Sequence, residues 1–301
     1  MAEPDRPLPA AALRQSTGVQ GLDELLGGGL IPGTLTVVVG ASGAGKTQLG
    51  LQFLHGGLPS EGRAGIIFDM SARIDSQSHG EYARRMFAWT VTPHPIDRFA
   101  ADRCFEADRA CGDYLHLFDA QGRRVTQQEM GFDAWHDWQA ELAGKLELAI
   151  DFFYSNFIRG ARRAVIDGIE PADRPSESIQ FELFEYLYHQ VLRKEASWVA
   201  RDLFRQHYRV HADSIERHAY DHQAIGAMLL VTAHESMLEP LIERPLVDGD
   251  VLATANTLIY IGKVRDGAKM GRALYIAKHR GSACSEEIVR YTIDDAGLRI
   301  P

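Results

Sequence analysis

Cysteine is scarce in this chain, and no charge of one sign gathers into a long run. The three cysteines, Cys104, Cys111 and Cys284, are odd in number and their spacing fits no common zinc pattern. A reduced, cytoplasmic setting is the expectation. No long basic run occurs and the formal net charge is −9, which argues against a chain whose work is to wrap nucleic acid. Met1–Pro9 is acidic and proline-rich, so no signal peptide is read there. Residues 25–45 carry no charge, yet seven glycines and Pro32 interrupt them, so no membrane span is expected. Internal repeats and low-complexity blocks are also missing.

What is present is a phosphate-binding turn. Leu35–Thr47 reads as the end of a buried strand, a glycine turn and the first turn of a helix, with Gly40 followed by Ala41, Ser42, Gly43, Ala44, Gly45, Lys46, Thr47 and Gln48. Gly40, Gly45, Lys46 and Thr47 fit G-x-x-x-x-G-K-[ST]. Gly40, Gly43 and Gly45 let the backbone bend so that its N–H groups converge, and the following helix adds its N-terminus. Lys46 would place a charge near the β- and γ-phosphates of ATP, and Thr47 a hydroxyl on Mg2+.

Residues 1–13 read as a loose tail, and 14–301 as a single domain. A short helix near Leu22–Leu26 stops at Gly27–Gly29, and Pro32–Gly33 turns into strand Thr34–Val39. A helix over Lys46–His55, a buried strand at Ala64–Phe68 and a helix over Glu81–Thr90 follow. Strand Tyr114–Phe118 and a polar loop over Gly122–Gly131 come next. A long helix over Asp133–Arg159 carries Trp135, Trp138, Leu142, Leu146, Ala149, Phe153 and Phe157 at helical spacing, an ordinary core stripe. Arg163–Asp167 and Gly226–Thr232 are further strands, with a mostly helical stretch, 176–223, between them. Asn256–Val264, Ala273–His279 and Ile288–Ile293 read as antiparallel strands, with a hairpin turn at Asp266–Gly267. The class is α/β with an antiparallel end.

Hydrolysis needs more than a phosphate cradle. Asp167 ends a strand at the carboxyl edge of the sheet and is the candidate metal acid. Asp69 ends the second strand and is the candidate for orienting water, ahead of Glu170. Thr232 ends the fifth strand, where a hydroxyl could sense phosphate or cap the next helix. Alternation places Lys278 and Arg280 on one face of a strand end. His207 with His211, and His218 with His222, lie four apart, but nothing completes a metal site, so they read as ordinary helix histidines.

The chain resembles the RecA-like P-loop ATPases of the KaiC family. The resemblance rests on Thr17-Gly-Val-Gln-Gly-Leu-Asp-Glu-Leu-Leu-Gly-Gly-Gly-Leu-Ile-Pro-Gly33, the phosphate loop with Gln52-Phe-Leu54, Arg163–Asp167, Leu229–Glu235 and Asn256–Ile300 with Lys278-His-Arg-Gly281. It implies a RecA-like core with a mainly parallel central sheet flanked by helices. It also implies a hexameric ring with ATP and Mg2+ between subunits, Lys278 and Arg280 serving the neighbour's site. The stretches near 71–112 and 171–223 fall outside it and read as insertions.

One departure stands at the site. The family's Glu-Glu pair after the second strand is replaced by Asp69-Met70. Asp69 is one methylene shorter than glutamate and Met70 is no acid, so slow hydrolysis is expected. The leading reading is a ring-forming Mg-ATPase that couples nucleotide state to shape and partner binding in regulation or signalling. A catalytically weak nucleotide-bound scaffold and a DNA-handling RecA-like ATPase are the alternatives.

Overall fold

Runs of β-branched and aliphatic residues with no polar alternation form strands buried on both faces, which is the signature of a parallel sheet covered by helices. The computed structural model describes residues 14–71, 79–97, 99–118, 132–170, 178–244 and 251–301. The expected tail 1–13, the polar loop 122–131 and residues 171–177 lie outside these, as do the side chains of Trp135, Trp138 and Leu142.

Five strands lie parallel: β1 (Leu35–Gly40), β2 (Ile66–Asp69), β3 (Tyr114–His116), β4 (Arg163–Ile169) and β5 (Gly226–Thr232). β6 (Thr257–Asp266) joins β1 in parallel, and β7 (Lys269–His279), β8 (Val289–Asp294) and β9 (Gly297–Arg299) follow antiparallel. Among the described residues the sheet order is β3-β2-β4-β5-β1-β6-β7-β8-β9. One strand, β5, therefore separates the strand feeding the phosphate loop from the strand carrying Asp167. The expected α/β class with its antiparallel end is observed, and the core is consistent with a RecA-like fold. The hairpin at Asp266–Gly267 is present, and β7 begins four residues before Ala273, because its largely exposed start has no apolar run and is held by its pairing with β6. The short strand β9 carried too few residues to announce itself.

The helices are α1 (Leu22–Leu25), α2 (Lys46–His55), α3 (Leu58–Glu61), α4 (His79–Phe87), α5 (Phe132–Phe157), α6 (Ile179–Leu187), α7 (Ala196–Phe204), α8 (Ala212–Arg217), α9 (Leu238–Glu243) and α10 (Val251–Thr254). One face of the sheet packs on α5, α6 and α7 through Phe68, Phe152, Phe153, Phe184, Val199 and Phe204. The other packs on α1 and α2 through Leu22, Leu49, Phe53, Val38 and Leu230. The described part of the expected helical stretch, 178–223, is mostly helical, and it contributes to the main core. His211 and His218 lie against Phe204 and Phe105, and no cluster of metal-ligating side chains exists among the described residues.

The motifs that carry the family resemblance meet in space. Asp23 accepts from the Thr17 backbone N–H at 2.7 Å and its hydroxyl at 2.6 Å, which locks the turn into α1. Gln52 exchanges two hydrogen bonds with Leu298, at 2.9 and 2.8 Å, tying β9 to α2. Arg163, 1% exposed, donates to Glu61 at 2.8 Å and to the Ser16 and Phe53 carbonyls at 2.6 and 2.7 Å. No helix among the described residues is long and apolar enough to cross a membrane.

Candidate nucleotide site

β1 delivers the chain to the sheet edge at Gly40, whose parallel partners are Thr232 on β5 and Ile261 on β6. The loop 41–45 then turns back into α2. Gly45 has φ +105, a backbone conformation that L side chains rarely adopt, and a Cβ there would come within 2.6 Å of Ile293. Tyr291 of β8 supports the loop from below, its hydroxyl donating to the Ala44 carbonyl at 2.6 Å. Ser42 and Gly43 are exposed, and around Gly43 there is open space. Lys46 is buried at 8% exposure, with Nζ donating to the Gly40 and Ala41 carbonyls at 2.8 and 3.0 Å. Gln48 is half-buried on the first turn of α2, and Thr232 is half-buried beside Gly40.

The donor set beneath the loop is made of oxygens. Thr47 Oγ1 donates to Asp167 Oδ2 at 2.9 Å, although 120 residues separate them. A hydroxyl and a carboxylate in contact suit a hard cation such as Mg2+, which takes oxygen ligands. The residues present therefore fit the group. Burial alone would push the Asp167 carboxyl up, but a hydrogen bond and the charge of His79, the Lys46 charge and the Thr47 hydroxyl outweigh it and hold the group below its ordinary value. Asp167 is thereby kept ionised and ready to meet a cation. Its other oxygen accepts from the Gly168 N–H at 2.7 Å. Gly168 has φ +93 at a bulge in β4, and a Cβ there would strike the Ser71 backbone at 2.2 Å.

Asp69 and Asp167 are register partners on neighbouring parallel strands, so both expected acids reach the same edge. Asp69 is 4% exposed. One of its oxygens accepts from the Ser71 N–H and the other from the Tyr114 hydroxyl, each at 2.8 Å. Burial and the Asp69 charge push the Tyr114 phenol far up, so it remains a donor. Met70 is fully buried in the core, and its N–H donates to the Asp167 carbonyl at 2.8 Å. The place of a second acid is taken by a packing residue. Glu170 receives Gln180 Oε1 on its backbone N–H at 3.2 Å, while Gln180 Nε2 donates to the Met70 and Gly168 carbonyls at 2.6 and 2.9 Å.

Two site residues escaped motif reading. His79 opens α4 and lies between Asp69 and Asp167, and Gln180 opens α6 and binds the backbone just past both acids. Neither carries a spacing signal, because each reaches the edge from a helix whose distance to the strands is set by packing.

Lys278 and Arg280 stand elsewhere. Lys278 pairs with Leu258 on β6, level with Val37, three residues before Gly40. They lie towards the end of the sheet opposite the phosphate loop, offset by about 10 Å along β1. Both donate to the Ala253 carbonyl, at 2.7 and 3.5 Å, and among the described residues neither meets a carboxylate. Burial and the Arg280 charge lower the Lys278 pKa.

Residues 15–83 match the family model "ATPase: KaiC". That segment is KaiC-like. A stretch of 59 residues is 42% identical to the circadian clock protein KaiC2 of Synechocystis sp., covering 19% of this chain and 10% of that protein. Another of 85 residues is 33% identical to the circadian clock oscillator protein KaiC of Rippkaea orientalis, covering 28% of this chain and 15% of that protein. A stretch of 52 residues is 50% identical to the DNA repair and recombination protein RadB of Thermococcus onnurineus, covering 17% and 22%. In these three cases the aligned part is between 10% and 22% of the relative's length. These similarities support a RecA-like P-loop core.

Proposed function

We propose that this chain is a slow, Mg-dependent ATPase of KaiC type that works as a ring, with ATP shared between subunits. The observation that carries the reading is the 2.9 Å contact between Thr47 and Asp167 beneath the phosphate loop. The loop N–H groups and Lys46 would hold the phosphates, with Gly40, Ala41, Ser42, Gly43, Ala44, Gly45, Gln48 and Thr232 around them. Thr47 and Asp167 would hold Mg2+, which when bound offsets charge on the β- and γ-phosphates. Asp69 would orient the attacking water. Lys278 and Arg280 lie away from the chain's own loop along the sheet, which supports a role at a neighbour's site. A hexameric, cytoplasmic assembly that couples nucleotide state to partner binding in regulation or signalling completes the proposal.

A second reading is favoured by Asp69 and Met70. Both oxygens of Asp69 are engaged and Met70 is core, so a nucleotide-bound scaffold without useful turnover fits the same loop. Nucleic acid stays outside the proposal, in keeping with the net charge of −9.

Phosphate release together with solution mass, with and without ATP, tests these readings. The enzyme reading expects assembly with ATP and turnover that is lost in Lys46→Ala and Arg280→Ala. Assembly with ATP and no turnover selects the scaffold, and a chain that stays monomeric with ATP removes the shared site.

A further inference from the structure

His79 is 14% exposed at its side chain and touches both site carboxylates. Its Nε2 donates to Asp167 Oδ2 at 3.0 Å, and its Nδ1 stands 3.5 Å from Asp69 Oδ2. Each of those oxygens has a second partner: Thr47 on Asp167 Oδ2 at 2.9 Å, and Tyr114 on Asp69 Oδ2 at 2.8 Å. The Tyr114 ring also packs against the imidazole, with centroids 5.8 Å apart. A carboxylate oxygen offers about two lone-pair directions. On Asp167 Oδ2 both are taken, and the other oxygen is held by Gly168.

We propose that His79 is a positioning residue that competes with the divalent cation for Asp167 Oδ2, so that binding of the metal–nucleotide complex draws the His79 side of α4 off the sheet edge. This rests on the nucleotide-site reading above. A cation that enters contact with Asp167 Oδ2 must replace one of its two donors. Thr47 can stay, because its hydroxyl turns from donor to ligand. His79 cannot, because the nitrogen facing Asp167 presents a proton and not a lone pair. His79 belongs to α4, so its departure is passed to that helix. At the other end, Phe87 stacks on His55 of α2 with centroids 4.1 Å apart, which gives the helix a fixed point to turn about. Occupancy of the metal position would thus be passed to α4, outside the phosphate loop.

Manganese binding in the presence of ADP tests this on the full chain, with free Mn2+ followed by electron paramagnetic resonance. His79→Ala is expected to bind Mn2+ about tenfold more tightly than the wild type, the worth of one charge-assisted hydrogen bond. His79→Phe, which keeps the ring volume and loses the N–H, should shift in the same direction and guards against a misfolded alanine variant. In the wild type the ring signals of His79, assigned by their loss in His79→Phe, should shift when Mn2+ is replaced by Mg2+ and added to the ADP-bound chain. Unchanged or weaker Mn2+ binding in both variants overturns the proposal. If Lys46→Ala abolishes ADP binding while both His79 variants bind Mn2+ as the wild type does, the nucleotide reading stands and only the role of His79 falls. If the wild type binds no ADP, both fall.

Discussion

At the scale of single residues, the site is governed by which groups already have partners. Met70 illustrates the point, because restoring the acid that the family carries there would place a carboxylate in a fully buried position. Met70→Glu is therefore expected to destabilise the chain by about 3 kcal/mol or more, with no gain in turnover. Urea unfolding and phosphate release measure the two effects. Arg163 supplies a second case. Its ion pair with Glu61 at 2.8 Å is buried on the arginine side, and two backbone carbonyls depend on the same guanidinium. Removing one partner of such a pair leaves buried polar groups behind. Arg163→Met should lower unfolding free energy by about 3 kcal/mol, seen as a shift in the urea midpoint.

At the scale of elements, α5 and α6 connect distant segments to the strand ends. Gln180 of α6 satisfies the Met70 and Gly168 carbonyls and the Glu170 N–H, one to three residues past the two acids. Gln180→Leu keeps the volume and leaves those groups unpaired, so a loss of about 2 kcal/mol is expected by chemical denaturation. On α5, Asp151 joins the helix to the segment before β3. Burial would push its carboxyl up, but His94 at 3.6 Å, the Arg109 guanidinium and the Ser155 hydroxyl at 2.7 Å outweigh that and hold it below its ordinary value of 3.8. The sign follows from linkage. A depressed folded pKa stabilises the chain above the unfolded value, and that contribution is lost as pH falls through the folded pKa. The stability gap between wild type and Asp151→Asn should therefore be full near neutral pH and close below about 3.8, as thermal melts across pH would register.

At the scale of the whole molecule, the sheet separates the two halves of the proposed shared site. The phosphate loop leaves β1 at Gly40, and Lys278 near the end of β7 and Arg280 just past it lie towards the opposite end. Mixing is the decisive experiment. Arg280→Ala, with its own loop intact, and Lys46→Ala, with its own Arg280 intact, should regain turnover when combined, because some interfaces then pair a sound loop with a sound arginine. No recovery in the mixture, with each variant assembled by mass, would speak against a site shared between subunits.

The strands and the loop were legible before any coordinates. β5 and α2 lie where the apolar runs and the glycine signals put them, at Gly226–Thr232 and Lys46–His55. Buried parallel strands are unbroken apolar runs, and a phosphate turn needs glycines at particular steps, so both leave marks in the order of residues. Asp69 and Asp167 could be placed at one edge for the same reason, since each ends such a run. Their partners could not. His79 and Tyr114 reach the acids from α4 and β3, and Gln180 reaches the backbone just past them from α6, over chain separations that carry no period. The local order of residues decided which segments become strands and which turn can cradle phosphate. Packing of helices on the finished sheet decided which side chains occupy the acids' oxygens, because that depends on distances between elements that no neighbouring residues encode.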